Sequence, residues 1–597
     1  MARTVGQGWC FSFWCSAGLI AGTAGLSGAC ITAGVPREPS KPIVEFPSAR
    51  TLAEIESKPA AIIPDVATGE IPADGWAVAA MDVAMRWDEP WQPADAWGNA
   101  FAADATEEKS KVRITRAMSC VARQLGRFYL ETYAPPPAAL QAFMVAACGV
   151  AATQIGFQWI NGEVPDGVTD DHLLAEWRHQ IKRDLLAHVP AQATDAGFWF
   201  GRGHGRVVAL MSYAMSNVRW KTLSLVPDAN GDVTLEGELG EPTDQITGYA
   251  NRGRFGVETC AIDPTVARPR FRAVCPIAKD DTTAWIQLLS APPHRVLTTP
   301  FAQILVRRAA DQPLVFDRTP YGEARVVTNA DGFSQAILEQ LNRVRAQAGF
   351  PQVRLSATES ASATRLAGHY FAAALAPDGD GVQIDNIALG LLAGWQVGGM
   401  IRDGHFVSTS APRTRDAGEW LSGALATPLG RVTLLDKNID EVALGPLLLS
   451  KGGGLAAIVT GYRHYQGDDH SDDVARLYAR LASGRKRLGL KAPVRLGGMA
   501  GVLRSELQRV QAGTVQPSAA LQTALSQGVS RFSAGMRGYV VETTSLDGFE
   551  IPEDVVKRPS LYLEIAVAHH KPPGAAWAQL VILVIFADDP RIQEHSI

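Results

Sequence analysis

The spacing of apolar residues changes twice along the chain, and these changes limit the folds that it can adopt. Within residues 116–190, apolar residues such as Val121 and Leu125 recur at helical spacing. Residues 218–310 show short strand-like runs between turn signals, and helical spacing returns from Phe333 onward. A chain of 597 residues is also too long for a single core. We therefore predict an α+β protein of roughly two to four domains.

The predicted boundaries follow shifts in composition and periodicity. Residues 34–60 are rich in proline, which predicts an extended tether. The predicted regions, in chain order, are a signal peptide (1–33), a tether with a poorly defined region (34–115), a helical region with a hairpin (116–213), a β-sandwich (214–325), an α/β domain (333–465) and a further α+β domain (471–590).

Residues 1–33 have the composition of an export signal. Arg3 precedes an apolar stretch from Trp9 to Leu26, and Ser27-Gly28-Ala29 offers small residues for cleavage. An anchor helix remains an alternative, although the glycines weaken it. Cys30 follows the cleavage candidate, so lipid anchoring at Cys30 is a second alternative. We expect a secreted or cell-envelope protein, in the periplasm or on the outer surface, with no transmembrane domain in the mature chain.

Four of the seven cysteines lie beyond the signal segment, and four cysteines allow three pairings. Export to an oxidising compartment favours the local pairs Cys120–Cys148 and Cys260–Cys275. Four buried free thiols remain the alternative. The sequence contains no CxxC motif, so a zinc ribbon or a thioredoxin-type site has no support.

Charge and motif content argue against several classes of protein. The net charge is -5 without a basic block, which argues against a nucleic-acid partner. The sequence has no GxSxG nucleophile motif. The glycines of residues 201–205 precede strand-like residues, where a dinucleotide loop would open a helix, so a hairpin turn is expected. The loops at Asp228 and Asp378 lack the EF-hand pattern. We predict no cofactor and no metal.

Two segments carry a family resemblance. Residues 341–351 read LNRVRAQAGFP and precede Val353-Arg354-Leu355 and an alanine-rich segment, while residues 420–445 read WLSGALATPLGRVTLLDKNIDEVALG. In this order and spacing they resemble the two halves of the CAP family, also called SCP-like or cysteine-rich secretory proteins, in its bacterial form. The resemblance covers about residues 333–465. It implies an α-β-α sandwich, with Trp420 as a packing anchor and Arg345 as a helix-surface charge.

The resemblance also indicates which of the family's site residues this chain lacks. The family uses two histidines and two acidic residues around a cleft. Gly430 stands at the second histidine position, followed by Arg431, and Gly423 stands at an acidic position. No histidine occurs near residues 378–380, where the first is expected. The resemblance therefore implies a degenerate member without the family's metal site.

The tail of the chain repeats part of this pattern. Residues 493–496, PVRL, echo the PQVRL of residues 351–355, and a helix-like stretch follows both. We interpret residues 471–588 as a second, more eroded CAP-like copy, with an unrelated α+β unit as the alternative. Residues 116–213 are an open candidate for a third copy.

Few titratable residues remain as candidates for chemistry. His405 follows a turn signal and Glu419 precedes Trp420, so these two are weak catalytic candidates. We expect the pair His569-His570 at the protein surface. We expect His470, with Asp472 and Asp473, in a solvated run that begins a helix, with an adventitious ion site as the alternative.

These observations favour a non-enzymatic function. We expect an exported binding or structural protein built on degenerate CAP-like domains, whose partner is an extracellular or envelope lipid or protein. The alternative is a secreted hydrolase that acts on cell-wall or protein substrates through a non-standard site.

Overall fold

The computed structural model describes residues 3–8, 46–59, 69–72, 75–78, 87–109, 111–164, 167–291, 298–316, 320–375, 380–411, 414–449, 454–467, 469–532, 535–543, 546 and 551–588. The candidate cleavage site, Cys30 and residues 34–45 of the tether lie outside these residues. The prediction of an extended tether over residues 34–60 is wrong for residues 49–56, which form a helix that buries Leu52 and Ile55. The described residues form two compact bodies. One holds residues 3–8, 48–392 and 405–461, and the other holds 46–47, 393–404 and 462–588.

The N-terminal third contains a three-layer module, which we call module 1 (residues 96–215). Three elements precede it: β1 (Arg3–Gly8), α1 (Ala49–Glu56) and β2 (Trp76–Val78). Its elements are α2 (Ala96–Glu108), β3 (Arg113–Ile114), α3 (Arg116–Thr132), α4 (Ala138–Ala147), β4 (Gln154–Glu163), α5 (Asp170–Gln180), β5 (Asp195–Gly203) and β6 (Arg206–Met215). A π-helical turn and a 3₁₀ turn, Ile181–Leu185 and Leu186–His188, follow α5.

The sheet of module 1 has the order β1-β4-β6-β5-β3. β3 pairs with β5 in parallel, and the other neighbours are antiparallel. The predicted hairpin at residues 201–205 is confirmed as the β5–β6 turn, where His204 and Gly205 have φ of 54° and 70°. Two consecutive positive φ values suit the right-handed twist of a two-residue hairpin.

A sandwich (residues 218–307) follows module 1, as its turn-rich strands predict. Its strands are β7 (Val218–Leu223), β8 (Asp232–Leu239), β9 (Gln245–Arg252), β10 (Gly256–Thr259), β11 (Ala261–Ile262), β12 (Arg270–Pro276), β13 (Thr283–Ala291) and β14 (Thr299–Arg307). They form two four-stranded sheets, β10-β9-β13-β14 and β11-β12-β8-β7. Inward residues of both sheets, such as Leu235 and Ile286, share one apolar core. A short strand, β15 (Leu314–Phe316), then pairs with β2.

Module 2 (residues 330–464) carries the family resemblance. Its elements are α6 (Ala330–Gln347), β16 (Arg354–Leu355), α7 (Ala357–Leu375), α8 (Gly381–Ala393), β17 (Ile401–Ala411), α9 (Ala417–Leu425), α10 (Pro428–Leu434), β18 (Glu441–Leu448) and β19 (Leu455–His464). Its sheet has the order β16-β18-β19-β17. Trp420 is confirmed as a packing anchor: it is 1% exposed, packs edge-on against Phe333 and donates its indole N–H to the Thr409 carbonyl.

Module 3 (residues 471–587) ends the described chain. Its elements are α11 (Ser471–Arg487), β20 (Val494–Arg495), α12 (Ala500–Gln511), α13 (Pro517–Arg531), β21 (Arg537–Thr543), α14 (Glu553–Val556), β22 (Tyr562–His570) and β23 (Gln579–Ala587). The sheet order is β20-β22-β23-β21.

One topology occurs in all three modules. In each, the first strand pairs in parallel with the third, the third forms a hairpin with the fourth, and the second lies beyond the fourth. A long helix precedes the first strand and two helices separate it from the second. The prediction of an α+β multidomain fold with a β-sandwich is confirmed, and the α-β-α arrangement occurs three times.

Alternation along the fourth strand creates the three layers. In β23, Ile582 and Val584 join the apolar cluster of α11, whereas Leu583 and Ile585 join that of α12 and α13. β6 of module 1 divides its residues between two clusters in the same way. Because neighbouring side chains of a strand point to opposite faces, each sheet is covered by helices on both sides.

Local sequence signals set the helix ends. Thr115 and Asn329 cap α3 and α6 by accepting hydrogen bonds from the backbone N–H of Met118 and Gly332. Pro428 occupies the first turn of α10, where its missing N–H has no cost. Gly349, with φ of 74°, ends α6 in the left-handed conformation.

No helix in the described part of the chain combines the length and the apolarity needed to cross a membrane.

Candidate functional site

The two glycines at the predicted cleft positions lie in different surroundings. A Cβ atom at Gly430 of α10 would overlap the carbonyl oxygen of Ala424 in α9, which is rigid backbone. A Cβ atom at Gly423 would meet no heavy atom of the surrounding described residues within 4 Å. A side chain is therefore excluded at Gly430 by the close approach of α9 and α10.

Arg431, the next residue, is 7% exposed and points away from solvent. Its Nε donates to the Leu425 carbonyl at 2.9 Å, within module 2. Its Nη1 donates to the carbonyls of Gly253 and Gly256 at 2.8 and 3.1 Å, in the β9–β10 turn of the sandwich. Burial lowers the pKa of the guanidinium, and these three carbonyls offset part of that cost by accepting hydrogen bonds from it.

Tyr321 completes the acceptors around Arg431. Its hydroxyl accepts a hydrogen bond from Nη2 of Arg431 at 2.8 Å and donates to the Arg254 carbonyl at 2.7 Å. Tyr321 thereby links module 2 to the β9–β10 turn. The guanidinium fork suits this role because it presents several donors in fixed directions.

Further contacts join α10 to the sandwich. The backbone N–H of Leu429 donates to Oε1 of Gln287 at 3.0 Å, and Nδ2 of Asn251 donates to the Ala426 carbonyl at 2.8 Å. Leu429 also packs with Tyr249 and Leu289 in an apolar cluster. We call this set of contacts, together with those of Arg431, the α10 interface. It places Gly430 and Arg431 within an intramolecular interface.

His405 and Glu419, the catalytic candidates, lie on separate elements of module 2. His405 is buried in β17, and its Nε2 lies 3.8 Å from Oδ2 of Asp436. Glu419 lies in the first turn of α9, where a carboxylate interacts favourably with the helix N-terminus. The acidic side chain beside His405 is thus that of Asp436. The sequence did not single out Asp436 as a candidate, because it lies within the segment that carries the family resemblance.

The prediction that Arg345 is a helix-surface charge is wrong. Arg345 is 0% exposed. Its guanidinium donates to the carbonyls of Pro351, Leu434, Asp436 and Ile439 at 2.7, 2.8, 2.9 and 3.1 Å. These carbonyls belong to the loops after α6 and α10. The cation therefore closes both loops around the C-terminal end of α6.

Two predictions of exposed histidines are also wrong. His569 and His570 are 7% and 8% exposed, because β22 is an inner strand and other groups cover its end. The His470 side chain is 8% exposed, whereas we expected a solvated run. Its Nε2 lies 2.9 Å from Nδ1 of His569. At the start of α11, the Asp469 carboxylate accepts a hydrogen bond from the backbone N–H of Ser471.

The predicted disulfide pairing is confirmed. Cys120 is bonded to Cys148, joining α3 to the residue that follows α4 in module 1. Cys260 is bonded to Cys275, within the core of the sandwich.

Two features of the described residues bear on whether they could hold a bound group. They contain no cluster of three or more His, Cys, Asp or Glu side chains arranged to hold a metal ion. Two recesses, beside Gln141 and beside Asp195, have volumes of about 20 Å³ each. That volume holds about one water molecule. Residues 378–379, near the expected first histidine, lie outside the described residues.

Comparisons with known proteins give few matches. No family model matches the chain, and no curated protein matches it. Among solved structures, the chain is similar to an extracellular protein containing an SCP domain from Bacillus anthracis. The identity is 11%, the alignment covers 49% of this chain and 92% of that chain, and the TM-score is 0.17.

Proposed function

We propose that the chain is an exported, non-enzymatic binding or structural protein, in which three degenerate CAP-like modules and a β-sandwich form a scaffold. Its partner would be an extracellular or envelope lipid or protein. Two disulfides suit an oxidising compartment. The topology that recurs in modules 1 and 3 supports assigning them as copies of module 2.

One observation carries the proposal: Arg431 is inserted into the α10 interface. In the CAP family, which the sequence of module 2 resembles, the residue at this position follows the second histidine of an open cleft. Here the same position supports contacts between module 2 and the sandwich, and the adjacent glycine leaves no room for a ligating side chain. A buried guanidinium that directs four of its five N–H donors to acceptors of its own chain stabilises an interface and is poorly placed to bind a substrate.

The buried position of His405 further supports a non-catalytic function. Its nearest approach to Asp436, 3.8 Å, exceeds hydrogen-bond length, and both side chains are largely buried. A general base needs to reach a proton on the substrate, directly or through one water. His405 therefore fits a role in the packing of β17 against the loop that contains Asp436.

A hydrolysis assay tests this conclusion. The purified full chain is incubated with peptidoglycan sacculi and, separately, with denatured casein, and released soluble fragments are measured. We expect no release above buffer, with a lysozyme and a protease as positive controls. Turnover that is abolished by His405→Gln or Glu419→Gln, in a variant that keeps its circular dichroism spectrum, would establish the hydrolase alternative instead.

A second experiment tests export. The chain is expressed in a bacterium, the fractions are separated, and the mature N-terminus is determined by mass spectrometry. We expect a chain that starts after Ala29, and so lacks the edge strand β1, and that is recovered outside the cytoplasm. A diacylated Cys30 would identify a lipid-anchored scaffold. An intact Met1 in the cytoplasmic fraction would contradict export in either form.

A further inference from the structure

Strand β4 of module 1 has one side that is paired only with β1 among the described strands. Residues 3–8 of β1 pair in antiparallel register with residues 157–162 of β4. The other side of β4 pairs with β6 over its whole length, without a register shift. Removal of β1 therefore uncovers a row of backbone N–H and C=O groups along β4, while the rest of the sheet keeps its ladder.

Within the described residues, only module 1 has such an added strand. Strands β17 and β21 take the position of β4 in modules 2 and 3, and each is the last strand of a four-stranded sheet. Residues 3–8 thus show that an edge at this position of the shared topology accepts a further antiparallel strand.

The composition of β4 differs from that of the other two edges. Its residues, QIGFQWINGE, include no proline and a single charge, Glu163, at the end of the strand. The other two edges carry more charges: Arg402 and Asp403 in β17, and Arg537 and Glu542 in β21. Natural edge strands are protected from pairing by charges, prolines, bulges or short length. Because β4 has none of these before its last residue, an uncovered β4 is suited to pair with another strand.

Both faces of β4 are covered within module 1. Residues 155–160 are all buried. Phe157 and Trp159 belong to the apolar cluster of α3 and α4, whereas Ile160 belongs to that of α2 and α5. A partner therefore reaches β4 along its backbone edge, as a strand, and not through a side-chain face.

We propose that β4 is the dimerisation edge of the mature chain. Two copies pair through antiparallel β4 strands, which joins their module 1 sheets, β4-β6-β5-β3 in each copy, into one continuous sheet. The proposal rests on the proposed function, because it requires export to remove residues 1–29 and with them β1.

The sequence of β4 suits pairing with itself. Two identical strands that pair across a twofold axis present the same residues to each other in reverse order. A register centred on Gln158 or Trp159 places Glu163 opposite the uncharged residues 153 or 155 of the second copy. No like charges then face each other, and apolar and amide side chains make the cross-strand pairs.

The proline-rich tether is the competing occupant of this edge. Pro36, Pro39 and Pro42 each lack the backbone N–H that a ladder needs, which disfavours the tether beside β4. A tether that did replace β1 would cover the edge within one copy and leave the mature chain monomeric. The oligomeric state therefore separates the two occupants.

The mature chain, purified from outside the cytoplasm, tests the proposal. Its N-terminus is determined by mass spectrometry, and its molar mass is measured by light scattering during gel filtration. The full chain with Met1 intact, purified from the cytoplasm, is measured beside it. We expect the mature chain to have about twice the molar mass of one copy. The full chain should be monomeric, because β1 covers β4 in it.

Hydrogen–deuterium exchange locates the interface of the dimer. Exchange of the mature chain is measured at a low and a high protein concentration, which populate the monomer and the dimer. We expect peptides that cover residues 157–162 to exchange at least about tenfold more slowly at the high concentration. Residues 537–543 of β21 are the matched control, since they form the equivalent edge of module 3. Their exchange should not depend on protein concentration.

A synthetic peptide of residues 2–9 should compete for the edge. It contains the residues that pair with β4 in the full chain, so an excess of it should convert the dimer to monomers. In the control peptide, Gly6→Pro removes a backbone donor opposite Trp159, in the middle of the ladder. The dimer should persist in the presence of the control peptide.

Three results would overturn the proposal. A mature chain that starts after Ala29 and stays monomeric at every concentration overturns dimerisation and leaves export intact. An intact Met1 in every fraction overturns both, because β1 then remains on β4. A dimer that both peptides leave unchanged, with exchange of residues 157–162 independent of concentration, has its interface elsewhere. All three measurements use the unsubstituted chain, so none depends on a variant that fails to fold.

Discussion

Arg345 of module 2 and Arg485 of module 3 make the same contacts in the two modules. Arg485 is 0% exposed and donates from Nε to the carbonyl six residues later, Lys491, as Arg345 does to Pro351. Nη1 of each residue donates to two carbonyls two positions apart, at Val556 and Arg558 in module 3. Module 1 differs: its first helix carries the buried Asp104, which binds Arg178 and Lys182.

Removal of either arginine should destabilise its own module. Burial lowers the pKa of both guanidiniums, so each charge is tolerated only because backbone carbonyls surround it. Arg345→Ala leaves four buried carbonyls without this donor and should cost about 3 kcal/mol or more. Arg345→Lys should rescue little, since an ammonium lacks the planar fork. Hydrogen exchange in denaturant, analysed for each module, should show the loss in module 2, and in module 3 for Arg485→Ala.

Arg343 provides the matched control for Arg345. It lies on the same helix, is 46% exposed and pairs with the exposed Glu323. Arg343→Ala should change stability by less than about 0.5 kcal/mol. If Arg345→Ala were as mild as Arg343→Ala, the carbonyl contacts would not stabilise the module.

Substitution of the two glycines at the cleft positions should have opposite effects. Gly430→Ala forces a methyl group onto the Ala424 carbonyl and should cost about 1–3 kcal/mol. Gly423→Ala places a methyl group in open space on α9 and should stabilise the helix by about 0.5–1 kcal/mol. Thermal unfolding of the two variants, scanned under the same conditions, measures the difference. Equal melting temperatures would show that α9 and α10 can separate without cost.

Arg431 and Tyr321 should be energetically coupled across the α10 interface. Hydrogen bonds to a charged group contribute about 1.5–3 kcal/mol, so Tyr321→Phe should destabilise the chain by about that amount. In an Arg431→Met background the same substitution should cost much less, because its partner is already absent. A double-mutant cycle in urea unfolding measures this coupling. Additive effects would mean that the 2.8 Å contact contributes nothing.

The Cys260–Cys275 disulfide should stabilise the sandwich mainly by restricting the conformations of the unfolded chain. Cys260 and Cys275 are separated by 15 residues. A loop of that size predicts a loss of about 3 kcal/mol when both cysteines are replaced by alanine. Thermal unfolding of Cys260→Ala/Cys275→Ala, compared with the oxidised wild type, tests the value. An unchanged unfolding temperature for the sandwich would contradict it.

Glu564 should make module 3 less stable as the pH rises. Burial raises the pKa of Glu564, although Arg495 and Tyr478 act in the opposite direction. The folded state therefore holds a proton that the unfolded state releases near pH 4.3, so stability is highest below that value and falls as pH rises through the folded pKa. Glu564→Gln should be more stable than the wild type at pH 7, and the difference should vanish near pH 4.

Urea unfolding at both pH values measures the effect of Glu564. Glu553→Gln, at a side chain that is 77% exposed, is the control and should show no such pH dependence. A Glu564→Gln variant that is less stable than the wild type at pH 7 would mean that the ionised carboxylate is stabilising.

Features that depend on local spacing could be predicted from the sequence. The hairpin at residues 201–205 follows from a short-range pattern of turn residues, whereas the anchor Trp420 was implied by the family resemblance. The disulfide pairs were predictable because each joins cysteines close in sequence, 28 and 15 residues apart. The echo between residues 351–355 and 493–496 indicated a repeat, and the strand order shows one topology in both places.

The candidate site could not be predicted in the same way. Arg345 follows apolar residues at helical spacing, and nothing near it in sequence distinguishes it from an exposed arginine such as Arg343. Its acceptors beyond Pro351 lie 89 to 94 residues away. The sandwich carbonyls that accept hydrogen bonds from Arg431 lie 175 and 178 residues away from it in sequence. His569 lies 99 residues from His470.

The sequence by itself determined the periodicity of each segment, the helix caps, the turns and the division into helical and strand-rich regions, because these depend on neighbouring residues. Only the tertiary structure decided which charges are buried, which face of α10 is covered and which two imidazoles meet. The physical reason is that a buried polar group is stable only beside its partners, and packing alone brings partners from distant parts of the chain together.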